Sequence, residues 1–174
     1  MSEPSTKSLT DTAPFPPEEI GGFLRHCAGE WMGLRSQFAL AAVSAAAELD
    51  TEDGDAWHSS ERGELVVSFL EPEAPGGAGG LRVCPKDGVA QQLHFSADGD
   101  FRSGDQQGSW QLWPDGSLEL TIRSNDTEVR ERIWFTKPNL RLRSTVESSA
   151  DGSPGRASFS SEIRRVSRPT APVS

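Results

Sequence analysis

The first regular pattern in the chain is an apolar stripe at helical spacing. Four apolar residues fall at positions i, i+3, i+4 and i+7, which places them on one face of an α-helix. The stripe consists of Ile20, Phe23, Leu24 and Cys27. Pro17 suits the first turn of a helix, and Gly29 is a natural stop. The pattern therefore predicts a helix over residues 17–28.

After Gly29 the hydrophobic pattern changes to strict alternation, which is typical of β-strands with one buried face. The predicted strands cover residues 31–40, 64–70, 81–84, 89–95, 107–113, 117–123, 128–135, 139–146 and 156–167. The Ala-rich run 41–47 is ambiguous, and we interpret it as a continuation of the first strand. Residues 72–80 are rich in glycine and are predicted to form a flexible loop.

Short strands at regular spacing, joined by tight turns, predict an all-β fold, either an antiparallel barrel or a sandwich. The chain of 174 residues is long enough for one domain and for a barrel that encloses a ligand. Residues 1–16 are rich in Ser, Thr and Pro, and we expect them to be disordered. The predicted domain spans residues 17–168, and residues 169–174 form a tail.

The net charge of −9 argues against nucleic acid as the main partner. The charge is unevenly distributed. Residues 1–122 carry 7 basic and 20 acidic residues, whereas residues 123–174 carry 10 basic and 6 acidic residues. Of the 17 basic residues 14 are arginine, a bias that suits recognition of planar anions more than solubility alone.

Cysteine usage and hydropathy narrow the class of protein further. The two cysteines, Cys27 and Cys84, make no disulfide framework, and with the three histidines they predict no metal site. No apolar run approaches transmembrane length, and the N-terminus lacks the apolar core of a signal peptide. We expect a cytoplasmic protein without a membrane span.

The candidate chemistry is concentrated in residues 131–145. Arg141 and Arg143 are two positions apart on a predicted strand and therefore share a face. A pair of guanidinium groups on one face is suited to hold carboxylates or phosphates. Glu131 is flanked at i−2 and i+2 by Val129 and Ile133, which predicts a carboxyl group on an apolar face. Together these residues indicate a site for an anionic small molecule held against a sheet.

The register of this hairpin decides whether such a site can form. Pairing of Phe135 with Leu140 would place Glu131 and the two arginines on opposite faces of the sheet. We therefore predict an odd-length turn or a β-bulge within residues 136–139. In the predicted register Phe135 pairs with Asn139, and Glu131 pairs with Arg143.

The tripeptide Gly29-Glu30-Trp31 follows directly after the predicted helix. It resembles the Gly-x-Trp signature of lipocalins, in which the Trp plugs the base of the barrel beneath an N-terminal helix. The resemblance implies a lipocalin-like (calycin) antiparallel up-and-down β-barrel. A Trp that merely fills the core of a sandwich is the alternative.

Longer motifs extend this resemblance to a particular family. Together with Gly29-Glu30-Trp31 and Arg35-Ser36, the segments 131–135, 138–143 and 157–164 are similar to the S/U-type phycobilin lyases. These are cyanobacterial and algal proteins of phycobilisome biogenesis. The resemblance covers residues 19–168 and is most specific in residues 131–164, whereas residues 41–106 match poorly.

Membership of this family would imply an enzyme that binds a linear tetrapyrrole, phycocyanobilin or phycoerythrobilin. The enzyme would attach this bilin by a thioether bond to a cysteine of a phycobiliprotein subunit, in the cytoplasm or in a plastid. The bilin would be a substrate, and no permanently bound cofactor is expected. Two alternative functions stay open: a non-catalytic carrier of a tetrapyrrole or other anion, and an inactive partner of an active lyase in a heterodimer. The oligomeric state also stays open between a homodimer and a heterodimer with a related lyase subunit.

The resemblance also assigns roles to single residues. Arg141 and Arg143 would bind the two propionates of the bilin, although a solvated charged face is the alternative. Glu131 would donate a proton to the tetrapyrrole, because burial of a carboxyl group favours its neutral form. It could instead hold the pyrrole N–H groups, or form a structural ion pair with Arg132 or Arg143.

Some members of the family have a His-Cys pair at the end of the helix, the position of His26 and Cys27. A thiol beside an imidazole could form a transient bilin adduct. We favour the simpler interpretation of a buried Cys and a surface His, since adjacent helix residues point about 100° apart.

Four further residues are candidates for contact with the bilin. The aromatic rings of Trp110 and Trp134 could stack on the tetrapyrrole. Arg25 and Arg35 are further candidates for binding a propionate.

Overall fold

The computed structural model describes residues 13–40 and 58–167. Within these residues one helix precedes ten strands. The elements are α1 (Ile20–Cys27), β1 (Gly29–Ala39), β2 (His58–Leu70), β3 (Gly77–Pro85), β4 (Gln91–Ser96), β5 (Asp100–Ser103), β6 (Gln106–Leu112), β7 (Leu118–Arg123), β8 (Thr127–Lys137), β9 (Leu140–Ser149) and β10 (Pro154–Arg164).

All strand pairs are antiparallel, and each strand pairs with its neighbours in sequence. Strand β1 also pairs with β10, from Trp31 opposite Arg164 to Ala39 opposite Arg156. The sheet is therefore a closed barrel. The predicted up-and-down barrel is confirmed, and the alternative of a two-sheet sandwich is wrong.

The helix begins at Ile20 rather than at Pro17. The residue before its first turn, Glu19, makes no capping hydrogen bond with its side chain. The stripe is confirmed at Phe23, Leu24 and Cys27, which are all 0% exposed. They join the core cluster that fills one end of the barrel, and α1 therefore closes this end.

The predicted loop over residues 72–80 is wrong in its last four residues, which belong to β3. At Gly79 a Cβ atom would lie 2.7 Å from Cζ of Phe69, and φ is +101°. At Gly80 a Cβ atom would collide with the carbonyl oxygen of Leu93. Glycine therefore serves here as a strand residue that lets β2 and β4 pack closely against β3. The glycine-rich composition of the segment had suggested a loop instead.

Strand β5, Asp100–Ser103, was not predicted. It has four residues, of which only Phe101 is a buried apolar side chain, and one apolar residue gives no alternation to detect. The Ala-rich run 41–47, most of the predicted N-terminal segment and the tail 169–174 lie outside the described residues. No helix among the described residues is long and apolar enough to span a membrane.

Candidate functional site

A buried carboxylate joins the two predicted arginines. Glu162 on β10 is 2% exposed. Its Oε2 accepts a hydrogen bond of 2.6 Å from Nε of Arg141, and its Oε1 lies 2.8 Å from NH2 of Arg143. NH1 of Arg143 lies 3.6 Å from Oε1 of Glu131. These four residues, the Arg–Glu cluster, form one chain of alternating charges across β8, β9 and β10.

The register explains why these side chains meet. Glu131 pairs with Thr145 and Phe135 pairs with Arg141, and the pairing shifts between Phe135 and Lys137. The predicted irregularity is therefore confirmed, as is the common face of Glu131 and Arg143. The predicted residue pairs were wrong. A regular hairpin would pair Phe135 with Leu140; we predicted a shift by one residue to Asn139, whereas the structure shifts by one residue the other way, to Arg141. Glu131 thus reaches Arg143 diagonally.

Three members of the cluster, Glu131, Arg141 and Arg143, line an interior cavity of ≈ 210 Å³. Apolar side chains from β2 to β8 form most of the wall. The polar wall includes Cys27, Glu131, Arg141 and Arg143. Glu131 and Arg143 are 26% and 27% exposed, whereas Arg141 is 4% exposed. Arg143 and Glu131 are therefore accessible to a ligand, and Arg141 is largely enclosed by protein.

The electrostatics of Arg143 follow from this position. Burial alone would lower the pKa of its guanidinium group, but the carboxylates of Glu131 and Glu162 outweigh this effect and raise it. Arg143 is therefore a permanent cation in the cavity wall. Its buried Nε has no hydrogen-bond partner among the described residues.

Trp31 is buried beneath the helix and packs against Arg141 of the cavity wall, as predicted from the Gly-x-Trp motif. It is 1% exposed, and its indole N–H donates a hydrogen bond of 2.9 Å to the carbonyl oxygen of Cys27. The guanidinium carbons of Arg141 and Arg164 lie 4.5 and 4.6 Å from its ring centroid. These cation–π contacts fix the floor of the site and add to the enclosure of Arg141.

The thiol of Cys27 faces the cavity, and the favoured interpretation of a buried cysteine is confirmed. Burial raises the pKa of this thiol, although the nearby charge of Arg141 and a hydrogen bond from it oppose the shift. A raised pKa keeps the group in its unreactive thiol form at neutral pH.

His26 points away from the cavity and is half-buried, so the expectation of a surface His was only partly right. Its Nε2 lies 2.9 Å from the carbonyl oxygen of Pro138, to which it donates a hydrogen bond. Its ring packs edge-on against Phe135 at 4.5 Å. Burial and the charge of Arg164 lower the pKa of His26. The imidazole therefore fastens α1 to the β8–β9 turn.

The two predicted stacking tryptophans lie away from the cavity. Trp134 is on the outer face of β8, where its ring centroid lies 6.2 Å from that of Phe159. Trp110 borders a separate depression beside α1, and its indole N–H donates to the carbonyl oxygen of Ser96. Neither ring lines the interior cavity.

The two additional arginine candidates lie in different places. Arg25 is on the outside of the barrel, 4.5 Å from the centroid of Phe69 and 3.9 Å from the carboxylate of Glu71. Arg35 is on the inner face of β1 and lines a pocket of ≈ 390 Å³ at the rim of the barrel. Only Arg35 is therefore placed to contact a ligand inside the barrel.

Sequence reasoning missed Glu162, although its motif was recognised. In β10 the apolar residues Phe159 and Ile163 alternate with Ser160, Glu162 and Arg164. Ordinary alternation puts the apolar set inside. The structure does the reverse, since Phe159 and Ile163 are 42% and 58% exposed. Strand β9 carries the same inversion, since Arg141 is buried. The prediction that Arg141 faces the ligand site was therefore the available signal that the polar face of β10 also points inward.

The fold is a closed antiparallel barrel that is plugged by a Trp and a helix, and charged groups lie in its interior wall. These features define a lipocalin-like protein suited to a small ligand. The fold matches the S-type phycobiliprotein lyase CPES from Guillardia theta, with a TM-score of 0.63 and 18% identity over 86% of this chain and 94% of that chain.

Sequence comparisons identify the family. A family model described as "CpeS-like protein" matches residues 99–165. "Chromophore lyase CpcS/CpeS 1" of Paulinella chromatophora is 43% identical over 159 residues, 90% of this chain and 94% of the relative. "Chromophore lyase CpcS/CpeS 2" of Synechococcus sp. (strain JA-3-3Ab) is 42% identical over 38% of this chain and 35% of the relative. The chain belongs to the CpcS/CpeS chromophore lyase family.

Proposed function

We propose that this protein is a bilin lyase that binds a linear tetrapyrrole in the barrel and attaches it to a phycobiliprotein cysteine. The observation that carries the proposal is Arg143, a permanent cation in the wall of an apolar cavity with a carboxyl group beside it. A bilin offers a matching set of groups, since it has an apolar conjugated frame, acidic propionates and pyrrole N–H groups.

In the proposed reaction the acceptor thiol adds to the ethylidene group of the A-ring. A carbon–sulfur bond forms at the ethylidene carbon, the S–H bond of the thiol breaks, and the tetrapyrrole gains one proton. The proton lost by the thiol replaces the one that the donor gives up, so nothing is released. The protein contributes orientation by binding a propionate at Arg143. Glu131, 3.6 Å from Arg143, is the proposed proton donor, and a structural role in this ion pair is the alternative.

The position of Cys27 supports direct transfer, without a bond between bilin and lyase. Its thiol faces the cavity but is buried, and its neighbour His26 is bonded to Pro138. No base from the helix is therefore directed at this thiol. The bilin is proposed as a substrate that is bound transiently, and the acceptor subunit as the partner, in the cyanobacterial cytoplasm or a plastid.

Co-expression tests the proposal. The chain is produced with a bilin-synthesis pathway and one phycobiliprotein subunit at a time, and pigment that survives denaturing electrophoresis is detected by zinc-enhanced fluorescence. A lyase gives fluorescence on the acceptor, which disappears when the acceptor cysteine is replaced by serine. Pigment that stays with this protein and is lost on denaturation would instead identify a carrier.

A further inference from the structure

The interior cavity alone is too small for a linear tetrapyrrole. Its volume is ≈ 210 Å³, whereas pockets for drug-sized ligands measure roughly 300–1,000 Å³. The rim pocket of ≈ 390 Å³ includes Ala39, which lies eight residues along β1 from Trp31, or roughly 26 Å. This pocket is therefore at the end of the barrel opposite α1. Because α1 closes the other end, an acceptor cysteine has to meet the bilin at the rim.

Glu147 on β9 is one of the residues that line the rim pocket. It opposes Val129 of β8 on one side and Arg156 of β10 on the other. Val129 lines the interior cavity, and directly opposed residues share one face of a sheet. The side chain of Glu147 therefore points into the barrel, at the place where an acceptor thiol would arrive.

The protein leaves the carboxylate of Glu147 without a partner. The other two carboxylates of this wall are engaged, since Glu131 pairs with Arg143 and Glu162 holds Arg143 at 2.8 Å. Within residues 13–40 and 58–167 the side chain of Glu147 forms no hydrogen bond and no ion pair. A half-buried carboxylate loses hydration that no protein group replaces here. Its position is therefore not explained by the stability of the fold.

Glu131 and Glu147 are diagonal neighbours on the inner face. Thr145 opposes Glu131, and Glu147 follows Thr145 by two positions. Diagonal neighbours on a sheet lie roughly 7–8 Å apart. Arg143 is the diagonal neighbour of Glu131 on the other side of Thr145. From the interior to the rim the wall thus presents a cation and two carboxyl groups in succession.

We propose that Glu147 is the general base of the attachment reaction and takes the proton of the acceptor thiol. The assignment deepens the proposed function and rests on it. The S–H proton passes to the carboxylate of Glu147 while the sulfur bonds to the ethylidene carbon. The electron pair of the ethylidene double bond moves into the tetrapyrrole, which takes a proton from Glu131. Exchange with water at the rim then moves one proton from Glu147 back to Glu131, so the two carboxyl groups return to their initial states.

The ratio of attachment rates between the parent chain and Glu147→Gln tests this assignment at several pH values. The full chain is loaded with phycocyanobilin, an excess of acceptor subunit is added, and pigment on the denatured acceptor is measured over time. Glu147→Gln is expected to react about 10²-fold more slowly at pH 7 and to bind bilin with unchanged affinity. The deficit should shrink below about tenfold at pH 9, because a cysteine with a pKa of about 8.5 is then mostly thiolate and needs no base.

The pH dependence of the other charged groups cancels in this ratio, since both chains contain them. These groups are Arg156, which opposes Glu147, Arg35 and His58, which line the same pocket, and the diagonal neighbour Glu131. Glu147→Asp, which keeps the carboxylate, is expected to recover part of the rate.

Glu128→Gln is the matched control. Glu128 precedes Val129 on β8 but faces outward, where it pairs with Arg123 and Arg130, and its variant should keep the parent rate. A deficit of Glu147→Gln that is constant from pH 7 to pH 9, or that is matched by a loss of bilin affinity, would overturn the assignment. An equal deficit in Glu128→Gln would do the same. A parent chain that attaches no bilin would overturn the proposed function itself.

Discussion

Nε of Arg141 lies 2.6 Å from Oε2 of Glu162, and the two side chains are only 4% and 2% exposed. The same carboxylate holds Arg143 at 2.8 Å. A buried ion pair adds little net stability, but loss of one partner leaves an uncompensated buried charge. Glu162 is therefore the residue on which the placement of both arginines depends.

Replacement of Glu162 by glutamine is expected to destabilise the protein by about 3–5 kcal/mol, because two arginines lose their counter-charge in the interior. Urea unfolding followed by tryptophan fluorescence measures the change. Glu64→Gln is the control, since Glu64 pairs with Lys86 and Arg165 at the surface, and it should cost less than about 1 kcal/mol. Equal effects of the two substitutions would show that the buried cluster is not specifically required.

Glu131→Gln separates proton donation from anchoring. If Glu131 is the proton donor, the variant binds bilin with nearly unchanged affinity but transfers it about 10²–10⁴-fold more slowly. Transfer rates and bilin affinities are measured on the same preparations. Glu119→Gln is the control, because Glu119 contacts Arg130 on the outer face. If affinity falls as much as the rate, Glu131 acts only through its ion pair with Arg143.

The thiol of Cys27 is expected to resist alkylation in the folded protein. Its raised pKa and burial leave little thiolate and no access, so labelling by iodoacetamide should be at least roughly tenfold slower than at the half-buried Cys84. Mass spectrometry of the two peptides gives both rates, and unfolded protein serves as the reference. Cys27→Ser should retain bilin transfer. Rapid native labelling, or loss of transfer in this variant, would favour a covalent role.

The lowered pKa of His26 leads us to predict that the stability of the protein depends on pH. Its pKa in the folded protein is lowered from the ordinary value of 6.5, so the unfolded chain binds more protons in this range. Stability is therefore lost as the pH falls through 6.5 towards the lowered value, and does not change further below it. His26→Gln should reduce the difference in unfolding free energy between pH 7.5 and pH 5.5. An identical difference in the parent and the variant would contradict this account.

Sequence reasoning succeeded where local pattern and global fold agree. The helical stripe at Phe23, Leu24 and Cys27 and the alternation that follows Gly29 are local signals, and both elements formed as expected. The bulge that follows Phe135 on β8 could be inferred because only an irregular hairpin brings Glu131 and Arg143 to one face.

The charged interior was harder to predict. Strands β9 and β10 turn apolar residues such as Ile163 outward and Arg141 and Glu162 inward, against the usual alternation. The two inversions stabilise each other across strands, and a single strand does not reveal its partner. Trp134 follows Glu131 by three positions on β8, so ordinary alternation already places the two side chains on opposite faces. The proposed stacking followed from its aromatic character and overlooked this alternation.

The most direct test of the central claim is the rate of covalent bilin attachment by Arg143→Gln compared with Arg132→Gln. The two arginines lie on adjacent strands, but Arg132 faces outward and pairs with Asp115 at 2.8 Å. Purified variants are incubated with bilin and acceptor subunit, and pigment bound to the denatured acceptor is measured over time. The account predicts that Arg143→Gln loses most of the attachment while Arg132→Gln retains it. Equal rates in the two variants would contradict a bilin site inside the barrel.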